Sequence, residues 1–227
     1  MQSRRLFVGT LLAAPFVSVS ALAQQSGQEA QAIERLKAFL VQAVGQPIAE
    51  RRAIAQRSLA AVDPRSDLSL LVEIAAIGML VRSGSTSEAL RSGYPKRSRF
   101  AIDTAEKRFG GAGWTKALAG AWHYEILRRS SIGAMIYGAS RDKGDALFKR
   151  ARELDRGDPG ITLAYAVAML GDDADEAAPR VVAMLAATPA ADATPYGTLV
   201  AIQNERIVRL LRTGRNREAV DYALNIF

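Results

Sequence analysis

Residues 113–155, GWTKALAGAWHYEILRRSSIGAMIYGASRDKGDALFKRARELD, are the stretch that decides the fold. They contain both tryptophans of the chain and its only histidine. They also carry its clearest helical pattern, because apolar and small residues recur at spacings of three and four rather than in alternation. We expect the helices of this stretch to organise the rest of the chain.

Helical patterns continue on both sides of this stretch. Ser85 followed by Glu88 forms a capping box, and Asp158 before Pro159 is a typical helix start. No alternating pattern longer than four residues suggests a strand. The sequence therefore predicts an all-α fold. Outside the central stretch, the predicted helices cover residues 28–43, 48–62, 67–81, 85–93, 97–109, 161–170, 173–187, 194–213 and 216–227.

The C-terminal half contains a repeated helix-pair pattern. In residues 148–155, FKRARELD, an aromatic residue and Ala151 lie three apart and precede a Leu-Asp stop. This resembles the second helix of a tetratricopeptide repeat, with Arg156 at the usual proline position. The resemblance implies antiparallel helix pairs stacked as a right-handed superhelix, an α-solenoid, in which small residues let paired helices approach closely.

The resemblance is to periplasmic tetratricopeptide-like proteins with degenerate repeats. Gly144 stands where the repeat has a small alanine, and Ile207 stands where a glycine is common. We expect residues 24–227 to form a single all-helical domain. Within it, residues 28–110 have weak repeat character and residues 113–227 are tetratricopeptide-like.

Residues 1–23 have the features of a cleavable export signal. Arg4 and Arg5 precede an apolar run that is too short to anchor the chain in a membrane, and small residues lead to a cleavage site after Ala23. The paired arginines leave both the twin-arginine route and the general secretory route open. The chain has no cysteine, so lipid attachment at the cleavage site and disulfides are excluded. We expect a periplasmic protein without a stable membrane anchor.

The formal net charge is +7, and most of the 30 basic residues are arginines. These residues are dispersed along the chain and form no basic stripe interleaved with aromatic residues. This distribution argues against a nucleic-acid partner. It is typical of solvated helix faces.

The central stretch also contains the candidate site residues. His123 has no second histidine or cysteine as a companion, which argues against a metal site or a catalytic triad. Glu125 and Arg129 are spaced for an ion pair along a helix, although Arg128 and Arg129 could instead hold a ligand carboxylate. We expect a groove that binds a partner and is lined by Trp114, Trp122, His123, Glu125, Arg128, Arg129 and Tyr137.

These features favour a binding function over catalysis. We predict a non-catalytic scaffold that needs neither cofactor nor metal and binds a protein or peptide of the cell envelope on a concave face formed by residues 114–155. The alternative is a solute-binding accessory of a transport system that recognises a small molecule with a carboxylate. A catalytic role for His123 is a third alternative, and the oligomeric state is left open.

Overall fold

The computed structural model describes residues 19–63 and 65–226, with side chains from Ser26 onward. This part of the chain contains twelve α-helices and one turn of 3₁₀ helix, and no strand. The all-α prediction is therefore confirmed for these residues. None of these helices is both long enough and apolar enough to cross a membrane. Residues 1–18 of the predicted export signal lie outside the described residues.

The helices follow one another with short connections. A one-turn 3₁₀ helix, Asp67–Ser69, leads into the third α-helix. The α-helices are α1 Val19–Ala43, α2 Ile48–Ala60, α3 Leu70–Ser83, α4 Thr86–Arg91, α5 Tyr94–Phe109, α6 Gly113–Arg129, α7 Ser131–Tyr137, α8 Arg141–Leu154, α9 Pro159–Asp172, α10 Ala174–Ala186, α11 Pro195–Arg212 and α12 Asn216–Ile226.

Most of the predicted N-caps are confirmed by their capping bonds. The side chains of Ser85, Asp158, Asp173 and Thr194 each accept a hydrogen bond from a backbone N–H of the first helical turn. Ser66 makes no such bond, and a 3₁₀ turn follows it instead. The sequence therefore placed four of these five starts correctly from local chemistry.

Two helices begin earlier than predicted. The first, α1, already includes Val19, well before the predicted start at residue 28, and α5 begins at Tyr94 rather than at residue 97. Pro95 was expected to end the preceding helix, but it lies in the first turn of α5, where a missing N–H leaves no helical bond unmade.

The central stretch forms three helices, α6, α7 and α8. The long helices α6 and α8 pack against each other, and the short helix α7 lies in the connection between them. Glycines allow this contact: a Cβ on Gly120 would lie 2.8 Å from the Phe148 ring, and a Cβ on Gly144 would lie 2.8 Å from the Tyr124 ring. The small residue predicted at position 144 is therefore required by close helix packing.

The N-terminal helices also contact the C-terminal helices. Helix α1 packs against α11. The Gly45 N–H donates to the carbonyl of Ile226 at 3.3 Å, and the buried Arg51 donates to the carbonyl of Asn225. Repeats of an open solenoid contact only their neighbours. These contacts instead bring the N-terminal and C-terminal helices together, and their buried apolar residues belong to one cluster.

A buried carboxylate joins four of these helices. Asp158, the N-cap of α9, accepts hydrogen bonds from Trp114 Nε1 at 2.9 Å and from the Tyr196 hydroxyl at 2.8 Å. Its other partners are the Gly160 N–H at 2.9 Å and Lys37 Nζ at 3.1 Å. We call these contacts the Asp158 hub. They tie α1, α6 and α11 to the start of α9 and fix the position of Trp114.

Candidate ligand-binding site

An apolar cavity of about 110 Å³ lies where α3, α5 and α6 meet. Both tryptophans of α6 face it, and Met79 of α3 and Pro95 of α5 form facing walls. Parts of α1 and α9 complete the lining through Leu40 and Ala164. The surroundings are predominantly hydrocarbon, as is usual for pockets that bind small molecules.

Small residues on the facing helices create this space. Gly78 lies in the middle of α3, and a Cβ built there would meet no atom within 4 Å. Ala75, Ala121 and Ala164 also line the cavity. Glycine in a helix interior lowers stability relative to alanine. At position 78 the helix carries this cost, and the space beside it stays open.

One end of the cavity is charged. Arg82 and Glu125 both line it, with Arg82 Nε 3.2 Å from Glu125 Oε2. Glu125 also accepts from Arg128 at 2.6 Å and from Arg129 at 2.9 Å. We call these four residues the arginine cluster. Three cations surround one anion, so the cluster carries a formal surplus of positive charge.

The arginines keep Glu125 ionised. Burial by itself would raise the pKa of the Glu125 carboxyl, but Arg82, Arg128 and Arg129 together hold that pKa below its usual value. Glu125 is only 8 % exposed, so its charge depends on these partners. The predicted pairing of Glu125 with Arg129 is confirmed, and it is a buried contact rather than a solvated one.

The arginines differ in what else they bind. Arg129 donates to the carbonyls of Gly84, at 2.9 Å, and Val81, which terminates the carbonyl row of α3. Arg82 bonds Glu125 through Nε, and its two terminal nitrogens make no hydrogen bond to a described residue. Arg128 bonds Glu125 through one terminal nitrogen but does not line the cavity, so Arg82 is the member of the cluster that can offer donors to a ligand there.

The other polar groups of the cavity are already paired. Trp122 Nε1 donates to Ser98 Oγ at 3.0 Å, and Ser98 Oγ in turn lies 2.8 Å from the carbonyl of Tyr94. Trp114 Nε1 belongs to the Asp158 hub. The cavity thus offers apolar walls and a single charged end, with no other polar group awaiting a partner among these side chains.

The predicted groove residues lie mostly inside the protein. Trp114, Trp122 and Glu125 are buried and meet at the cavity. His123 is buried as well but does not line the cavity. Its ring and that of Tyr137 pack edge-on against Trp122, with ring centres 5.2 and 6.0 Å apart. The aromatic side chains therefore do not line an open concave surface in this structure.

Arg128 and Tyr137 keep the most solvent contact among the predicted residues. The side chain of Arg128 is 27 % exposed, and Tyr137 is half-buried at the end of α7. Arg129 is 16 % exposed and fully engaged by Glu125 and the end of α3. The seven predicted residues thus divide into a cavity wall, an aromatic seam and the arginine cluster.

His123 is held in its neutral form. Its Nδ1 accepts a hydrogen bond from the Ser140 N–H at 3.4 Å, which requires an unprotonated nitrogen. Burial, together with the positive charges of Arg99 and Lys143, lowers the pKa of His123 to about 4. The ring therefore packs α6 against the start of α8 as a neutral group at neutral pH.

A second, smaller space of about 60 Å³ lies between α8, α9 and α10 and is polar. Asp145 accepts from Tyr165 at 2.6 Å and from Tyr124. Burial and the Asp145 carboxylate raise the pKa of Tyr165 to about 12, and both effects raise the pKa of Tyr124. These groups satisfy one another, and nowhere in residues 19–63 and 65–226 do three acidic or histidine side chains converge to hold a metal ion.

Comparisons with known proteins give no relative. No protein-family model, curated protein or solved structure matches the chain. The tetratricopeptide resemblance of residues 114–227 therefore stays a prediction from residue spacing. What the structure establishes is that residues 19–63 and 65–226 form an all-α arrangement of packed helices.

Most of the cavity lining comes from residues that sequence reasoning overlooked. Gly78 and Arg82 lie four apart on α3, and Ser98 lies on α5, in the region of weak repeat character. A glycine within an otherwise apolar helix, followed one turn later by an arginine, was the available signal. This spacing indicates a helix face on which an open space lies next to a charged side chain.

Proposed function

We propose that this protein is a non-catalytic binding protein for a small, mostly apolar molecule that bears one carboxylate. The apolar part would occupy the cavity between α3, α5 and α6, and the carboxylate would meet Arg82. The observation that carries this proposal is the pairing of an apolar cavity with a cluster in which three arginines share one glutamate. A bound carboxylate would lower the surplus positive charge.

The size of the cavity restricts the apolar part of the ligand. Its volume of about 110 Å³ is somewhat below the roughly 150 Å³ of a dry apolar cavity that holds a benzene molecule. A single aromatic ring or a short aliphatic chain fits this range. A hydrogen bond between the guanidinium and a carboxylate is stronger than one between neutral groups, so Arg82 supplies both orientation and selectivity.

The helix pairs and the export signal fit the same proposal. We propose that α6 with α8, α9 with α10, and α11 with α12 are degenerate tetratricopeptide-like pairs stacked as a short right-handed superhelix. The burial of Gly144 in α8 and of Ala219 in α12 supports close pairing. With residues 1–23 as a cleaved signal, the protein would act in the periplasm as a solute-binding accessory of a transport system.

Partner binding by residues 114–155 ranks second. In the sequence prediction, Trp114, Trp122 and His123 contact a protein or peptide of the cell envelope. Their side chains are 3, 7 and 5 % exposed, so α6 would have to separate from its neighbours before they could touch a partner. A small molecule reaches the two tryptophans from the cavity without such a change.

Thermal unfolding with a panel of paired ligands tests the proposal. Benzoate and straight-chain acids of roughly four to eight carbon atoms would be compared with their primary amides. A ligand that binds the native state raises the melting temperature, so the acids are expected to raise it more than the amides. The absence of a saturable shift with every acid would overturn the proposal.

Two glycine substitutions provide a matched pair. Gly78→Leu fills the cavity while keeping α3 helical, and Gly27→Leu places the same side chain on the exposed surface of α1. We expect Gly78→Leu to abolish the ligand-induced shift and Gly27→Leu to retain it. Arg82→Gln should remove the advantage of acids over amides. A wild-type response from Gly78→Leu would place the ligand elsewhere.

A further inference from the structure

We propose that α7 docks this protein on an anionic lipid surface by inserting Ile132, Met135 and Ile136 among the lipid headgroups. These side chains are 66, 76 and 69 % exposed. Their spacing of three and four residues places them on one face of the helix. The inference concerns the surface of the protein and stands independently of the cavity proposal.

Helix α7 is firmly held beneath this apolar face. Ser130 caps its first turn by accepting from the Gly133 N–H at 2.9 Å, and Gly138 ends it with a left-handed φ of 62°. Ala134 is buried on the opposite side, and Tyr137 packs against Trp122. The three exposed side chains therefore project from a helix that is already ordered, so their insertion into a bilayer costs little additional conformational entropy.

Positive charge borders the N-terminal end of the apolar face. Beyond the C-terminal end, Arg141 is paired with Asp172 and Glu176, so the surplus of basic residues lies before α7. Arg128 precedes α7 and shares Glu125 with two other arginines. Lys143 Nζ lies 2.9 Å from the carbonyl of Gly138 at the end of α7. An apolar patch bordered by basic residues is the arrangement that attracts a protein to anionic headgroups.

The small extent of the patch favours lipid over protein as its occupant. A stable protein interface buries roughly 800 Å² on each partner, which three side chains cannot supply. Partitioning into a bilayer interface requires no complementary surface and grows with each apolar group inserted and each basic residue near the headgroups. Binding of a second protein to this face is the alternative that the test distinguishes.

Vesicle co-sedimentation of the full chain tests the docking. Vesicles of phosphatidylcholine alone would be compared with vesicles that contain about 30 % phosphatidylglycerol. The triple variant Ile132→Ser, Met135→Ser, Ile136→Ser is expected to bind the anionic vesicles about tenfold more weakly. The matched control carries serine at Leu90, Phe100 and Ile202, which are also exposed. Equal losses in the two triple variants, or no preference for anionic vesicles, would overturn the proposal.

A fluorescent probe locates the contact directly. Because the chain has no cysteine, Met135→Cys and Ile202→Cys can each carry a single environment-sensitive dye. Anionic vesicles are expected to shift the emission to shorter wavelength at position 135 and leave position 202 unchanged. No shift at position 135 would refute docking through α7. A shift that depends on protein concentration without vesicles would indicate a protein contact and would equally refute it.

Discussion

Asp158 and Glu125 are both buried carboxylates that lie beside a tryptophan of the cavity, yet their surroundings differ. The Asp158 side chain, 2 % exposed, has one cation, Lys37, and three neutral donors. The Glu125 side chain, 10 % exposed, has three arginines. The charges of Asp158 and Lys37 balance each other, whereas the arginine cluster has a surplus of positive charge. The Asp158 hub has all its charge balanced within the fold, and the arginine cluster is the one to which we assign the proposed ligand carboxylate.

The difference follows from position within a helix. Asp158 is an N-cap, where backbone N–H groups have no helical partner and can bind a carboxylate. Glu125 lies in the interior of α6, where backbone N–H groups are already used by the helix. Its charge must be balanced by side chains, and α3 and α6 supply them. The position of each carboxylate within its helix thus determines how many cationic side chains balance its charge.

The largest expected effect is at the Asp158 hub. Asp158→Ala removes the cap of α9 and leaves Trp114 Nε1, the Tyr196 hydroxyl and Lys37 without their acceptor. We expect a loss of about 4 kcal/mol in the free energy of unfolding, because breaking a buried charged network leaves its partners unsatisfied. Urea denaturation of the purified variant measures this loss.

Asp158→Asn is the control for shape and capping. It keeps one carbonyl acceptor and can still cap the helix, so it should lose about half as much stability as Asp158→Ala. If both variants unfold at the wild-type urea concentration, the Asp158 hub does not hold the four helices together.

The arginine cluster should respond less strongly. Glu125→Gln removes the anion and leaves three arginines close together. We expect the free energy of unfolding to fall by about 2 kcal/mol, a value that allows for the solvent around Arg128. The same urea measurement tests this value. High salt should recover part of the loss, since it screens the repulsion among the arginines.

Arg82→Gln separates ligand binding from stability. Glu125 retains Arg128 and Arg129 in this variant, so the free energy of unfolding should fall by less than it does for Glu125→Gln. Destabilisation as large as that of Glu125→Gln would show that all three arginines are needed for folding. The cluster would then resemble the Asp158 hub.

The smallest effect concerns His123 and appears only in acid. Its pKa is about 4 in the folded protein, below the value of 6.5 for a free histidine. The unfolded chain binds the proton first, so this contribution is complete above pH 6.5 and is lost as the pH falls toward 4. We expect wild type to lose roughly 1 to 2 kcal/mol over this interval through His123, after allowance for solvent near Arg99 and Lys143.

Stability measured against pH separates this contribution from others. His123→Asn keeps an acceptor for the Ser140 N–H but cannot take up a proton, so its stability should vary less between pH 7 and about pH 4. The carboxyl of Glu125, whose pKa is lowered by Arg82, Arg128 and Arg129, keeps its charge further into acid than an ordinary glutamate does. Identical pH profiles for wild type and His123→Asn would contradict a buried neutral histidine.

Features that depend on neighbours along the chain could be predicted from the sequence. The caps at Ser85, Asp158, Asp173 and Thr194 require only a side chain and the next few N–H groups. The ion pair of Glu125 with Arg129 follows from helical spacing alone. The cavity could not be predicted in this way, because Arg82 lies 43 positions before Glu125. Nothing in the local pattern brings these two residues together.

The sequence by itself determined the all-α class of the described residues, where most helices begin, and that residues 113–155 form helices that carry both tryptophans. Helical periodicity and capping are local effects, and they operate before any tertiary contact forms. Only the tertiary structure decided that Trp114 and Trp122 face a cavity, that Glu125 gathers three arginines, and that α7 turns its apolar face outward. Those outcomes depend on which distant helices pack together, and packing is set by the shape of the whole core.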